Sequence, residues 1–108
     1  TEQVALAQHL SQSGARFYGA HWCRYCALQR SSFGGKAAAA LPYIECASDG
    51  FKSDAALCAS KQVSSYPTWE INGQFYSGAR DLADLASLSA FNLAEGRPAA
   101  ASTAKAVE

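Results

Sequence analysis

The sequence holds no methionine, no surplus of either charge, and no apolar stretch near the length of a membrane span. Each absence narrows the reading. Nine basic residues face nine acidic ones, and no cationic run or stripe stands out, so neither nucleic acid nor an anionic membrane surface is recommended as a partner. No window approaches the roughly 18 uninterrupted apolar residues that cross a bilayer, and the N-terminus lacks the basic-then-apolar pattern of a secretory signal. Without a methionine, and starting at Thr1, the chain reads as a processed protein or a domain cut from something longer, any address label or membrane anchor having gone with the missing part. What is present suits one domain: 108 residues, 49% of them apolar, bury one continuous core and leave little for a second. Cysteine, in contrast, is plentiful. Cys23, Cys26, Cys46 and Cys58 exceed the usual share of a cytosolic domain this small, and an even number allows disulfides, which favours an oxidising compartment.

Apolar spacing organises the rest. Val4, Leu6 and Leu10 predict a helix over Glu2 to Leu10, stopped by Ser13-Gly14. Ala15 to Gly19 (ARFYG) reads as a core strand. A helical segment runs from Cys23 to about Leu41, kinked or split at Gly34-Gly35. Pro42 to Cys46 (PYIEC) is a second strand, 47–53 a loop, and Asp54 caps a helix through Leu57, Cys58 and Lys61. Pro67 to Ile71 and Gln74 to Ser77 flank Asn72-Gly73, the dipeptide most favoured for a tight hairpin because both positions take positive φ. From Asp81 a last helix aligns Leu82, Leu85, Leu88 and Phe91, and residues 93–108 read as a disordered tail beyond a 1–92 domain. The order α-β-α-β-α-β-β-α predicts an α/β fold, a mixed four-stranded sheet with helices on both faces.

Within RFYGAHWCRYC, Cys23 stands where a strand hands over to a helix. Free N–H groups and the positive end of the helix dipole favour a thiolate there, and Arg24 adds a formal positive charge. Cys26, one turn on, is placed to attack a mixed disulfide formed at Cys23. A redox pair is the favoured reading. A passive staple is the second, although so short a loop removes little chain entropy. A zinc site with Cys46 and Cys58 is the third, although structural zinc sites usually join two close couples and these two cysteines are twelve positions apart.

The strings FYGAHWCRYC, LPYIEC and SYPTWEINGQFYSG resemble the thioredoxin-like domain fused to bacterial, mainly cyanobacterial, homologues of vitamin K epoxide reductase, with relatives in the plant chloroplast lumen. WCxxC alone would mark only the thioredoxin-like superfamily. The resemblance implies a thiol–disulfide oxidoreductase in which Cys23 is the attacked sulfur and Cys26 the resolving one. It implies reduced exported proteins as substrates and a membrane-embedded reductase domain as electron acceptor. Quinone would bind that membrane domain, so no cofactor or metal is expected here beyond the redox-active disulfide. The implied location is the periplasm or thylakoid lumen, tethered to the membrane. Two departures matter. Many family members carry proline where this chain has Arg24, and thioredoxin keeps a buried acid six positions before its nucleophile, where this chain has Phe17, so proton handling must differ. A free-standing glutaredoxin- or thioredoxin-type reductase is the alternative.

Tyr66-Pro67 matches the position of the family's cis proline, whose loop faces the cysteines and lends backbone hydrogen bonds to an extended substrate. Cys46 and Cys58 are expected to form a structural disulfide worth about 3 kcal/mol, as the family's extra cysteine pair implies; a second redox relay is the competing idea. His21 is either a proton shuttle for Cys23 or an ordinary loop histidine. Trp22 either shields the disulfide and offers an apolar platform or merely packs, and Arg24-Tyr25 between the cysteines are candidates for partner recognition. Glu70 is an outward charge or a proton-transfer partner, while His9, Lys36, Lys52 and Lys61 read as surface residues.

Overall fold

In the computed structural model residues 1–99 are described. The Thr1 hydroxyl accepts the Val4 N–H at 3.2 Å and so starts α1 (Glu2–Gln12), which buries Leu6, Ala7 and Leu10. Then follow β1 (Arg16–Gly19), α2 (Arg24–Phe33), α3 (Gly35–Ala38), β2 (Tyr43–Glu45), α4 (Ala55–Ser60), β3 (Thr68–Ile71), β4 (Gln74–Ser77) and α5 (Leu82–Leu88). Asp54 and Asp81 cap α4 and α5 through their carboxylates. The helical segment expected over 23–41 is split at Gly34-Gly35, one of the two outcomes expected there, because Gly34, at φ 91°, takes a conformation no helix continues through.

The main sheet has the order β2-β1-β3-β4, with β1 and β2 parallel and the other neighbours antiparallel. This is the expected thioredoxin-like arrangement. Asn72 and Gly73 both have positive φ and close the β3–β4 hairpin. Alternation along β1 separates two apolar clusters. Phe17 faces Trp69, Ile71 and the buried sides of α1, α2 and α5, together with both Cys23 and Cys26. Tyr18 faces the other way, with Cys46, Cys58, Ile44 and Leu57 of α4. Phe17 stacks on Trp69 at 4.7 Å and meets Tyr43 edge-on at 5.1 Å.

The C-terminal expectation is corrected over 93–99. Helix α5 stops at Leu88, so Phe91 is not on it; Phe91 belongs to β5 (Phe91–Asn92), which pairs with β6 (Arg97–Pro98). Asn92 Oδ1 accepts the Glu95 N–H at 3.0 Å and closes that turn, and buried Phe91 anchors it to the core. The polar, alanine-rich composition hid a hairpin too short to show a period. The remainder of the expected tail, 100–108, lies outside the described residues. His9 is likewise more than a surface residue: its Nε2 lies 2.8 Å from the Ser89 carbonyl and its ring 4.7 Å from that of Phe91, tying α1 to the end of α5.

Candidate active site

The buried run Phe17, Tyr18, Gly19, Ala20 delivers the chain to a turn in which the Cys23 N–H reaches the Ala20 carbonyl at 3.0 Å. Cys23 is then the N-cap of α2, and its Sγ accepts the Cys26 N–H at 3.1 Å. A sulfur in the capping position receives a donor that a helix start leaves unpaired, so negative charge there would be met by an N–H and by the helix end. Both cysteines are unbonded. Cys23 is 8% exposed and Cys26 fully buried. Cys23 therefore meets solvent only through a narrow opening, with Sγ turned back onto its own helix. Burial, then the hydrogen bond with Cys23, pushes the Cys26 thiol up to about 12.

Around this opening Trp22 and Tyr25 are 64% and 60% exposed, and Arg24 is exposed between the sulfurs. The Trp22 ring meets Tyr66 edge-on at 5.8 Å, which brings the proline loop to the cysteines. The Tyr66–Pro67 bond is cis, and Pro67 is fully buried. His21 is exposed; its Nε2 pairs with Asp49 Oδ1 at 2.9 Å, and no hydrogen bond links its ring to either sulfur among the described residues. That bond raises the His21 pKa and lowers that of Asp49.

Cys46 and Cys58 are joined by a disulfide. It consumes two of the four thiolates that a zinc site would need, and that reading fails. Glu70 accepts the Tyr18 hydroxyl at 2.6 Å and lies 3.5 Å from Lys61 and 3.9 Å from Arg16. It is thus neither a free outward charge nor a partner of the cysteines, since Tyr18 faces away from Cys26. Lys61 is correspondingly an ion-pair member rather than a solvated surface lysine.

Sequence reasoning missed several residues that build the site. Buried Gln29 accepts the Trp69 indole N–H at 3.1 Å and the Arg80 N–H at 2.7 Å, and donates to the Arg80 carbonyl at 2.8 Å. It locks α2 onto β3 and onto the chain leading to α5. Glu45, 6% exposed, ends β2. Its Oε2 accepts the His21 and Ala47 N–H groups, both at 3.1 Å, and its Oε1 accepts the Tyr43 hydroxyl at 3.1 Å. A Cβ on Gly50 would sit 2.5 Å from Glu45 Cγ, so only glycine lets the loop close over this carboxylate. A Cβ on Gly19 would meet Tyr43 Cε1 at 2.8 Å, Cys26 Sγ at 3.0 Å and Tyr43 Oη at 3.3 Å. The sulfur and the phenol thus converge on one glycine. The Arg30 guanidinium lies 5.2 Å from the centre of the Tyr43 ring. The one sequence signal was an acid alone in the apolar run LPYIEC, and it did not say which way the acid points.

The chain is 43% identical over 93 residues, 83% of its length, to the thiol-disulfide oxidoreductase LTO1 of Arabidopsis thaliana. It spans 25% of that relative's length. No protein-family model matches it.

Proposed function

We propose that this domain is a thiol–disulfide oxidant whose working disulfide forms between Cys23 and Cys26. The observation that carries the reading is the capped sulfur: two free cysteines share one apolar cluster, and the N–H of the resolving cysteine points at the sulfur to be attacked. Similarity to a protein named as a thiol-disulfide oxidoreductase supports it.

A client thiolate attacks Cys23 Sγ, the Cys23–Cys26 bond breaks, and Cys26 leaves with the electron pair and takes up a proton. The client's second thiolate attacks the client sulfur of the mixed disulfide and expels Cys23. The client has then lost two electrons and gained a disulfide, and this domain holds the dithiol. Reoxidation passes the pair to a disulfide of a vitamin K epoxide reductase-like membrane domain, where a quinone is the terminal acceptor. The clients are reduced exported proteins, and the compartment is the periplasm or thylakoid lumen. Exposed Trp22 and Tyr25 offer apolar contact to an unfolded client, and the Tyr66-Pro67 loop beside them offers backbone to an extended one.

The test is covalent trapping. Cys26→Ser, its Cys23 first converted to the mixed disulfide with thionitrobenzoate and then mixed with a reduced client that carries one cysteine, releases thionitrobenzoate and accumulates a disulfide-linked complex through Cys23 that dithiothreitol dissolves. Absence of any such complex refutes the reading. Equilibration of the Cys23–Cys26 pair with glutathione separates oxidant from reductase, and a potential near about −270 mV would assign a thioredoxin-type reductase instead.

A further inference from the structure

We propose that Tyr43 and Glu45 form the proton-transfer pair of Cys26, a role that rests on the reading of Cys23–Cys26 as an exchanging pair. The need for one is chemical. Before Cys26 can displace a partner from Cys23 its thiol must lose a proton, and a thiol pushed up to about 12 is ionised near neutrality only on the order of one part in a hundred thousand. Position 17, on β1, carries phenylalanine and can accept nothing. Its parallel neighbour in the register is Tyr43, and Gly19 is paired with Glu45. The acid has thus moved one strand sideways and stands on the same side of the sheet as Cys26.

Three features fit Tyr43 and Glu45 to this task. Both the Cys26 sulfur and the Tyr43 hydroxyl lie within 3.3 Å of the single point where a Gly19 side chain would begin, so no heavy atom of residue 19 intervenes. Tyr43 donates to Glu45 Oε1, while the second carboxylate oxygen holds two backbone N–H groups. That carboxylate is fixed with one oxygen free to take a proton through the phenol. Burial, then the charge of Glu45, raises Tyr43 and keeps it a neutral phenol able to pass a proton along. Among the described residues, the other ionisable groups facing these are Cys23 at the start of the Cys26 helix, Arg30 over the Tyr43 ring, and His21, which reaches Glu45 through its backbone and Asp49 through its ring.

The step balances without an added reagent. The Cys26 thiol proton passes to Tyr43 Oη as the phenolic proton passes to Glu45 Oε1, leaving a Cys26 thiolate, a neutral tyrosine and a protonated glutamate. The thiolate attacks Cys23 Sγ, the Cys23–Cys26 bond forms, and the bond from Cys23 to its partner breaks with the electron pair leaving on the partner's sulfur. In the opposite direction the proton returns to Cys26 by the same route.

Reaction with dithiobis(nitrobenzoate) separates the steps, with Cys23 and Cys26 reduced and Cys46–Cys58 left intact. Cys23 attack releases a first thionitrobenzoate, and Cys26 resolution releases a second. Glu45→Gln is expected to leave the first phase unchanged and to slow the second about a hundredfold at pH 7, the low end for a positioned proton acceptor. The second-phase rate of the variant is expected to keep climbing with pH where that of the parent levels off. Tyr43→Phe, which keeps the ring packed on Phe17, is expected to do the same and carries the test should Glu45→Gln not fold. A parental second phase in the folded variants overturns the proposal, as does equal slowing of both phases, which marks a structural role. Absence of the first phase in the parent protein instead refutes the exchange reading beneath it.

Discussion

The two cysteine pairs lie in the two clusters that β1 separates, one beside Phe17 and the other beside Tyr18. Cys23 and Cys26 close a loop so short that bonding them constrains the unfolded chain little, while Cys46 and Cys58, separated by 12 in sequence, constrain it by about 3 kcal/mol. The surroundings differ in the same sense. The first pair sits at a helix start with an N–H aimed at one sulfur, exposed aromatics at its edge and a phenol–carboxylate pair behind it. The second shares its cluster with Tyr18, Ile44, Leu57 and Val63, and the Tyr18 hydroxyl is held by Glu70. Residue type alone does not make a redox centre. Under the proposed function, what sets the first pair apart is its place at a helix start, with an N–H aimed at one sulfur and exposed aromatics at its edge.

Breaking each pair in turn tests that contrast most strongly. Cys23→Ser is expected to drop disulfide transfer to the uncatalysed rate yet change stability by less than about 1 kcal/mol, because serine is itself a favoured N-cap. Rates and a denaturant melt on one sample check both halves. Replacing Cys46 and Cys58 with serine is expected to do the reverse, lowering the Tm by roughly 12–24 °C while Cys23 still attacks dithiobis(nitrobenzoate) below the new midpoint. Loss of exchange in that variant would mean that the second pair is a relay after all. A smaller effect is expected from Gly19→Ala. Its Cβ would press on Tyr43 and Cys26, and overpacking of this kind costs about 1–3 kcal/mol, read as a shifted unfolding midpoint.

The smallest effect concerns His21 and Asp49 at the rim of the first pair. The raised His21 pKa gives a contribution present below its ordinary 6.5 and lost as pH rises through the folded value. The lowered Asp49 pKa gives one present above its ordinary 3.8 and lost as pH falls through the folded value. The contact is therefore complete between those two ordinary values and fades on either side. Asp49→Asn is expected to lower the His21 midpoint in an NMR titration of its ring protons, with little change in melting because both side chains are exposed.

Much of this was legible in the chain. The Asn72-Gly73 hairpin, the helix after Cys23, the Asp54 cap and the four main strands follow from neighbours a few positions apart. Tyr43 and Glu45 were not legible as part of the site. Strand β2 has only three residues, too few for alternation to say which side is inward, and nothing nearby in sequence marks Cys26 as their companion. Gln29 looked like any polar helix residue until Trp69 and Arg80 met it. His9 and the β5–β6 hairpin were misread for the same reason: their partners, Ser89 with Phe91 and the buried flank of α1, are remote in the chain.

Local chemistry, then, was settled by the order of residues: a thiol at a helix start, its partner one turn on, and turns where glycine or asparagine accepts positive φ. Those outcomes depend on backbone sterics and hydrogen bonds within a few residues, which act before any distant segment arrives. Only folding decided that Cys46 finds Cys58, that Glu45 is sealed under Gly50, and that a carboxylate one strand away from Phe17 stands behind Cys26. Those are meetings between distant segments, set by which faces pack and in what register, and no window of the chain contains them.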